Sequence, residues 1–131
     1  MLNPQELDSL IESAKPILKR QGFKKVNLTW HKEISDIILV FNIQRSQWGF
    51  EFYINVGVYI KALGSKNKPP EYRCHIRSRV NHSGRTAEDL LKDVFDWFDT
   101  YDSVSKLRHF AKEDKLPITT VIQAKEFLIE S

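Results

Sequence analysis

Between Phe23 and Val80 apolar side chains recur at every second position: Val26, Leu28 and Trp30, then Ile37, Leu39, Phe41 and Ile43, then Phe52, Ile54, Val56, Val58 and Ile60. An extended backbone sends successive side chains to opposite faces, so a repeat of two demands strands with one face turned to a core. The segment Tyr72 to Val80 fits the same rule, sending Arg73, His75, Arg77 and Arg79 one way and Tyr72, Cys74, Ile76, Ser78 and Val80 the other. Short polar links separate the first three runs, which suits antiparallel hairpins, with a reversal expected at Ser46 to Gly49. A longer loop from Ala62 to Glu71 leads to the fourth run.

The two ends repeat at helical spacing instead. Asn3 is placed to cap, Pro4 suits the first helical position, and Glu6 stands where a capping acid belongs. Leu7, Leu10, Ile11, Ala14, Ile17 and Leu18 form one stripe, Pro16 is expected to kink or split it near Lys15, and Gly22 to end it. After the strands, Thr86 with Asp89 resembles a capping pair ahead of the stripe Leu90, Leu91, Val94, Phe95, Phe98 and Tyr101. Further helices are expected at Lys106 to Glu113 and Thr119 to Ile129, the last entered through Pro117 and capped by Thr119 or Thr120. The fold expected is α+β in a single domain over residues 1–131: a four-stranded antiparallel meander with an N-terminal helix and C-terminal helices packed on one face.

Composition limits the function classes. A formal charge of +3 is too mild to mark a nucleic-acid or membrane protein by itself, but its distribution is uneven. Seven cations stand against Glu71 between Lys61 and Arg85, and six acids against Lys92 between Thr86 and Asp102. The longest uninterrupted aliphatic and aromatic run is Ile37 to Phe41, far short of the ~20 residues of a membrane-spanning helix. One cysteine forbids an intramolecular disulfide, and with no basic-then-apolar leader a cytoplasmic address is expected.

Catalytic signatures fail one by one. Cys74 and His75 are neighbours on a strand and point apart, so Cys74 reads as a small buried hydrophobe. His31 and His75 would lie three strand spacings of ~4.8 Å apart, about 14 Å, too far to share a zinc ion. Asp93, Asp96, Asp99 and Asp102 recur every three residues and drift around a helix of 3.6 residues per turn, which suits a solvated face. The five glycines form no phosphate loop. No cofactor or metal is expected.

What survives is the polar side of the sheet. Asn27, Thr29 and His31 fall there from the first run, Asn42 and Gln44 from the second, Tyr53, Asn55 and Tyr59 from the third, and Arg73, His75, Arg77 and Arg79 from the fourth. The candidate binding set is Asn42, Gln44, Tyr53, Asn55, Tyr59, Arg73, His75, Arg77 and Arg79. Arginine and tyrosine are frequent interface anchors, and a guanidinium matches a carboxylate with two hydrogen bonds. Trp48 extends this patch or folds back into the core.

The runs Phe41-Asn42-Ile43-Gln44-Arg45-Ser46, Phe52-Tyr53-Ile54-Asn55-Val56-Gly57-Val58-Tyr59 and Cys74-His75-Ile76-Arg77-Ser78-Arg79, with Gly22-Phe23-Lys24-Lys25, resemble a family of small bacterial proteins known as a domain of unknown function, DUF4304. The resemblance implies a bacterial single-domain protein and supplies no activity. Asn42, Gln44, Asn55 and Arg77, which carry it, also fall on the polar face. The leading reading is a non-enzymatic binding module that takes an acidic protein partner in the manner of an immunity protein. Single-stranded nucleic acid on the same face and a small-ligand pocket formed by Gln44, Asn55, Tyr59 and His75 are the alternatives.

Overall fold

The structure, a computed structural model, describes residues 4–46 and 51–130. Helix α1 (Pro4–Arg20) is followed by strands β1 (Lys24–Val26), β2 (Thr29–Ile34), β3 (Ile37–Arg45), β4 (Phe52–Ile60) and β5 (Ile76–Val80). Then come α2 (Ala87–Tyr101), α3 (Val104–Lys112), β6 (Thr119–Thr120) and α4 (Ile122–Ile129). All neighbouring strands pair antiparallel in the order β1-β2-β3-β4-β5-β6. The α+β class and antiparallel sheet are those expected, but the sheet has six strands rather than four.

Both extra strands come from local backbone chemistry. Asn27 takes φ of 56°, a left-handed conformation asparagine tolerates, and the chain reverses at Asn27 and Leu28 so that Val26 pairs with Thr29. The alternation of Val26, Leu28 and Trp30 therefore does not mark one strand. It spans a hairpin, with Val26 exposed and Trp30 buried. At the other edge Thr119 and Thr120 pair with Arg77 and Ile76 instead of capping a helix, and α4 starts at Ile122 after Val121.

Helix α1 also departs from expectation, because it continues through Pro16. The missing N–H and ring clash of an interior proline cost about 3 kcal/mol. Leu7, Ile11, Ala14 and Leu18, on both sides of Pro16, are buried in one core, and that shared burial outweighs the lost bond. Gly22 closes the helix at φ 89°, where the Gly22 N–H reaches the Lys19 carbonyl (3.0 Å) and the Phe23 N–H the Leu18 carbonyl (3.0 Å). A Gly22→Ala substitution would force a side chain into this conformation, and a melting temperature lowered by about 4 °C is expected for a cost near 1 kcal/mol. The capping asparagine at position 3, the reversal at Ser46 to Gly49 and Trp48 lie wholly or partly outside the described residues; Ser46 N–H and Glu51 carbonyl, 2.9 Å apart, close the β3–β4 hairpin. Thr86 caps α2 as expected, accepting from the Asp89 N–H at 3.1 Å.

The four helices share one core with one face of the sheet. Ile37, Leu39, Phe41 and Ile43 of β3 and Ile54, Val56, Val58 and Ile60 of β4 join Leu18, Leu91, Val94, Phe98, Leu107 and Leu128 from the helices. Trp30 packs edge-on against Phe41 with ring centres 5.5 Å apart. The opposite face of the sheet is left to the polar residues and to one long connection.

Candidate functional site

The second face divides into two halves. Register places Ile38 opposite Tyr59, Val40 opposite Gly57, and Gly57 opposite Arg77. Residues 61–75 fold back over this half as a strap, and Ile38, Val40, Tyr59 and Cys74 form a second small core beneath it. The strap replaces the beginning of the expected fourth strand: Glu71–Arg73 is a 3-10 turn and β5 starts only at Ile76. Cys74 is buried as expected, but on the side opposite to the helices. Gly57 makes room for it, since a Cβ there would lie 2.8 Å from Cys74 Cβ and Sγ.

Several polar contacts fasten the strap. Arg77 donates from Nε and Nη2 to the two oxygens of Glu71 at 2.7 and 3.1 Å, with Glu71 only 7% exposed. This hydrogen bond holds the Arg77 pKa above its usual value. His31 Nε2 meets the Pro69 carbonyl at 2.7 Å, and the Lys66 N–H donates to the Tyr59 hydroxyl at 3.1 Å. His75 lies buried at the strap's end, where its Nδ1 accepts the Ile60 N–H at 2.9 Å and its ring packs 4.7 Å from that of Tyr59.

Burial lowers the His75 pKa and raises that of the Cys74 thiol, so both groups are held neutral. Only a neutral imidazole can accept from Ile60. A depressed folded-state pKa means that the unfolded chain binds the proton first. His75 therefore contributes stability above the ordinary histidine value near 6.5, and that contribution disappears as pH falls below it. Urea midpoints at pH 7.5 and 5.5 should diverge for the wild type, and less so for a His75→Gln variant.

Beyond the strap, the other half of the face stays open and carries a ladder of amides. Arg79 Nε donates to Asn55 Oδ1 (3.2 Å). Asn55 Nδ2 donates to Asn42 Oδ1 (3.1 Å) and Gln44 Oε1 (3.0 Å), and Asn42 Nδ2 donates to Thr29 Oγ1 (3.0 Å) and the Leu28 carbonyl (3.3 Å). Asn55 is 3% exposed, yet both ends of its amide are satisfied, so it orders the groups around it. The Arg79 guanidinium lies 4.2 Å above the Tyr53 ring. Its two Nη groups and Gln44 Nε2 make no hydrogen bond to another described residue.

Of the nine candidate residues, then, Asn42, Gln44, Tyr53, Asn55 and Arg79 are brought together. Tyr59, His75 and Arg77 belong to the strap and its anchorage, and Arg73 is an exposed residue of the 3-10 turn. Tyr59 and His75 are buried under the strap, whereas Gln44 and Asn55 lie on the half beyond it. Thr29 joins the open ladder, whereas Asn27 is spent on the β1–β2 turn. The aspartate row on α2 is solvated as expected, with Asp93 and Asp102 paired to Arg85 and Lys106. Among the described residues no helix is long and apolar enough to cross a membrane.

A helix-backed antiparallel sheet with one strapped and one open polar half defines an α+β domain. The chain belongs to the family described as "Domain of unknown function (DUF4304)", whose model matches residues 14–121. That span runs from the middle of α1 to the end of β6 and includes the whole ladder and strap. No curated protein and no solved structure matches the chain.

Proposed function

We propose that the open half of the second face is a platform for an acidic segment of a protein partner, with Arg79 as its anchor. The observation that carries this reading is the fixation of one guanidinium by Asn55 at Nε and by Tyr53 at its face, with the outer N–H groups left for a ligand. A fork held in place loses little entropy on binding a carboxylate, and that geometry suits two parallel hydrogen bonds. Gln44 supplies an adaptable amide at its side, while the Tyr53 hydroxyl donates to Glu51 at 3.4 Å. Reading of single-stranded bases is disfavoured because stacking needs open aromatic faces, whereas Tyr59 is buried and Tyr53 is covered by Arg79. The module acts as a stoichiometric binder, in the way immunity proteins do.

Titration of 15N-labelled protein with a glutamate-rich peptide tests the reading. Shifts concentrated on the side-chain amides of Asn42, Gln44 and Asn55 and on Arg79 Nε are expected, and Arg79→Ala should weaken binding about 30-fold, corresponding to about 2 kcal/mol. Shifts elsewhere, or an equal response of the Arg79→Ala variant, would remove the platform.

A further inference from the structure

From Ser13 to Lys32 the chain carries Lys15, Lys19, Arg20, Lys24, Lys25 and Lys32 and no acidic residue. The fold gathers this run at one place. The end of α1, the Gly22 turn and the β1–β2 hairpin surround a groove of 580 Å³ lined by Lys15, Lys19, Lys24 and Lys25, with Phe23 and Trp30 beneath. Lys25 Nζ stands 5.6 Å from the Trp30 ring centre and Lys32 Nζ 5.9 Å from that of Phe23. Glu12 is the neighbouring acid and pairs with Lys15 at 2.8 Å. Lys19 and Lys24 have no ion-pair partner among the described residues.

We infer that this groove is a second interaction surface, separate from the Arg79 platform, and that it holds the phosphate backbone of a nucleic-acid duplex without reading its sequence. Three observations favour that occupant. The cations are lysines, compact charges that suit phosphates, whereas protein interfaces are depleted in lysine. They come from two elements, α1 and β1, so the charge is focused across a concavity. Lysines guarding the short edge strand β1 against pairing would account for Lys24 and Lys25 alone. Finally, Trp30 and Phe23 are only 2% and 6% exposed, so the floor offers no ring on which an unpaired base could stack, and the backbone is what remains to be bound.

Fluorescence anisotropy with a labelled 20-base-pair duplex of arbitrary sequence tests this on the full chain. Four neutralised phosphates give a logarithmic salt slope of about −3.6, hence an affinity loss of about 150-fold between 50 and 200 mM salt. A Lys19→Gln, Lys24→Gln double variant should bind more weakly, with a slope of about −1.8 and a loss of about 12-fold over the same range. Both lysines are exposed, so circular dichroism should show an unchanged fold. Arg79→Ala should leave duplex binding intact, which separates this surface from the platform. Three results would each overturn the inference: no salt-dependent binding, a double variant with the wild-type slope, or tighter binding to oligoglutamate or to vesicles of anionic phospholipid than to the duplex.

Discussion

Arg77→Met is expected to destabilise the protein by about 3 kcal/mol, the low end of the range for removing one partner of a buried ion pair. The low end applies because the Arg77 side chain is 35% exposed, whereas that of Glu71 is 7% exposed and both its oxygens face the guanidinium. Methionine preserves most of the stem and deletes the donors, so the loss reports on the abandoned carboxylate rather than on packing. Glu71→Gln in the same background should recover a large part of it, since a neutral amide tolerates burial better than a carboxylate. Urea unfolding of the two single variants and the double variant gives the coupling energy directly. Equal midpoints for wild type and Arg77→Met would show that the strap does not depend on this pair.

The pair also explains where reading the sequence stopped short. The repeat of two correctly assigned Ile37, Leu39, Phe41 and Ile43 to the helix-covered face, because core and period agree there. It placed Arg73, His75, Arg77 and Arg79 together, because a strand was assumed from Tyr72 onward. A 3-10 turn at Glu71 breaks that assumption, and its cause is tertiary: Glu71 must meet Arg77, six residues later and on the sheet. The signal that could have exposed it is the unbroken run Ile37-Ile38-Leu39-Val40-Phe41. Five consecutive apolar residues in a strand require cover on both faces, so something had to lie over Ile38 and Val40.

The open ladder was legible because Asn42, Gln44, Tyr53 and Asn55 sit in regular central strands, where register follows alternation. Their mutual hydrogen bonds were not legible, since amide orientation depends on cross-strand distances that no single strand contains. The edges were read least well. β1 and β6 have only three and two residues, too short for any period to appear, and they exist through pairing with β2 and β5 rather than through their own composition.

Substituting Gly57 by alanine should loosen the strap more than the body of the protein. The added Cβ would meet Cys74 Cβ and Sγ at 2.8 Å and the Ile76 carbonyl at 3.3 Å. Cys74 has nowhere to retreat, since it is packed with Ile38, Val40 and Tyr59 and its Sγ lies 3.9 Å from the Pro70 carbonyl. Overpacking of this kind costs about 1–3 kcal/mol, and the upper end is expected because the nearest atoms belong to a short side chain on a pinned backbone. The two nearest atoms belong to Cys74, which clusters apart from the helix-backed core, so the strain is relieved most cheaply by local opening of residues 61–75. Cys74 is the natural reporter: its thiol is buried and held protonated, and reacts only when the strap lifts. Labelling by a disulfide reagent should accelerate about 150-fold in Gly57→Ala for a local cost near 3 kcal/mol, while amide exchange in α2 and β3 changes by less. Uniform acceleration across strap and core would mean instead that the two cores unfold as one unit.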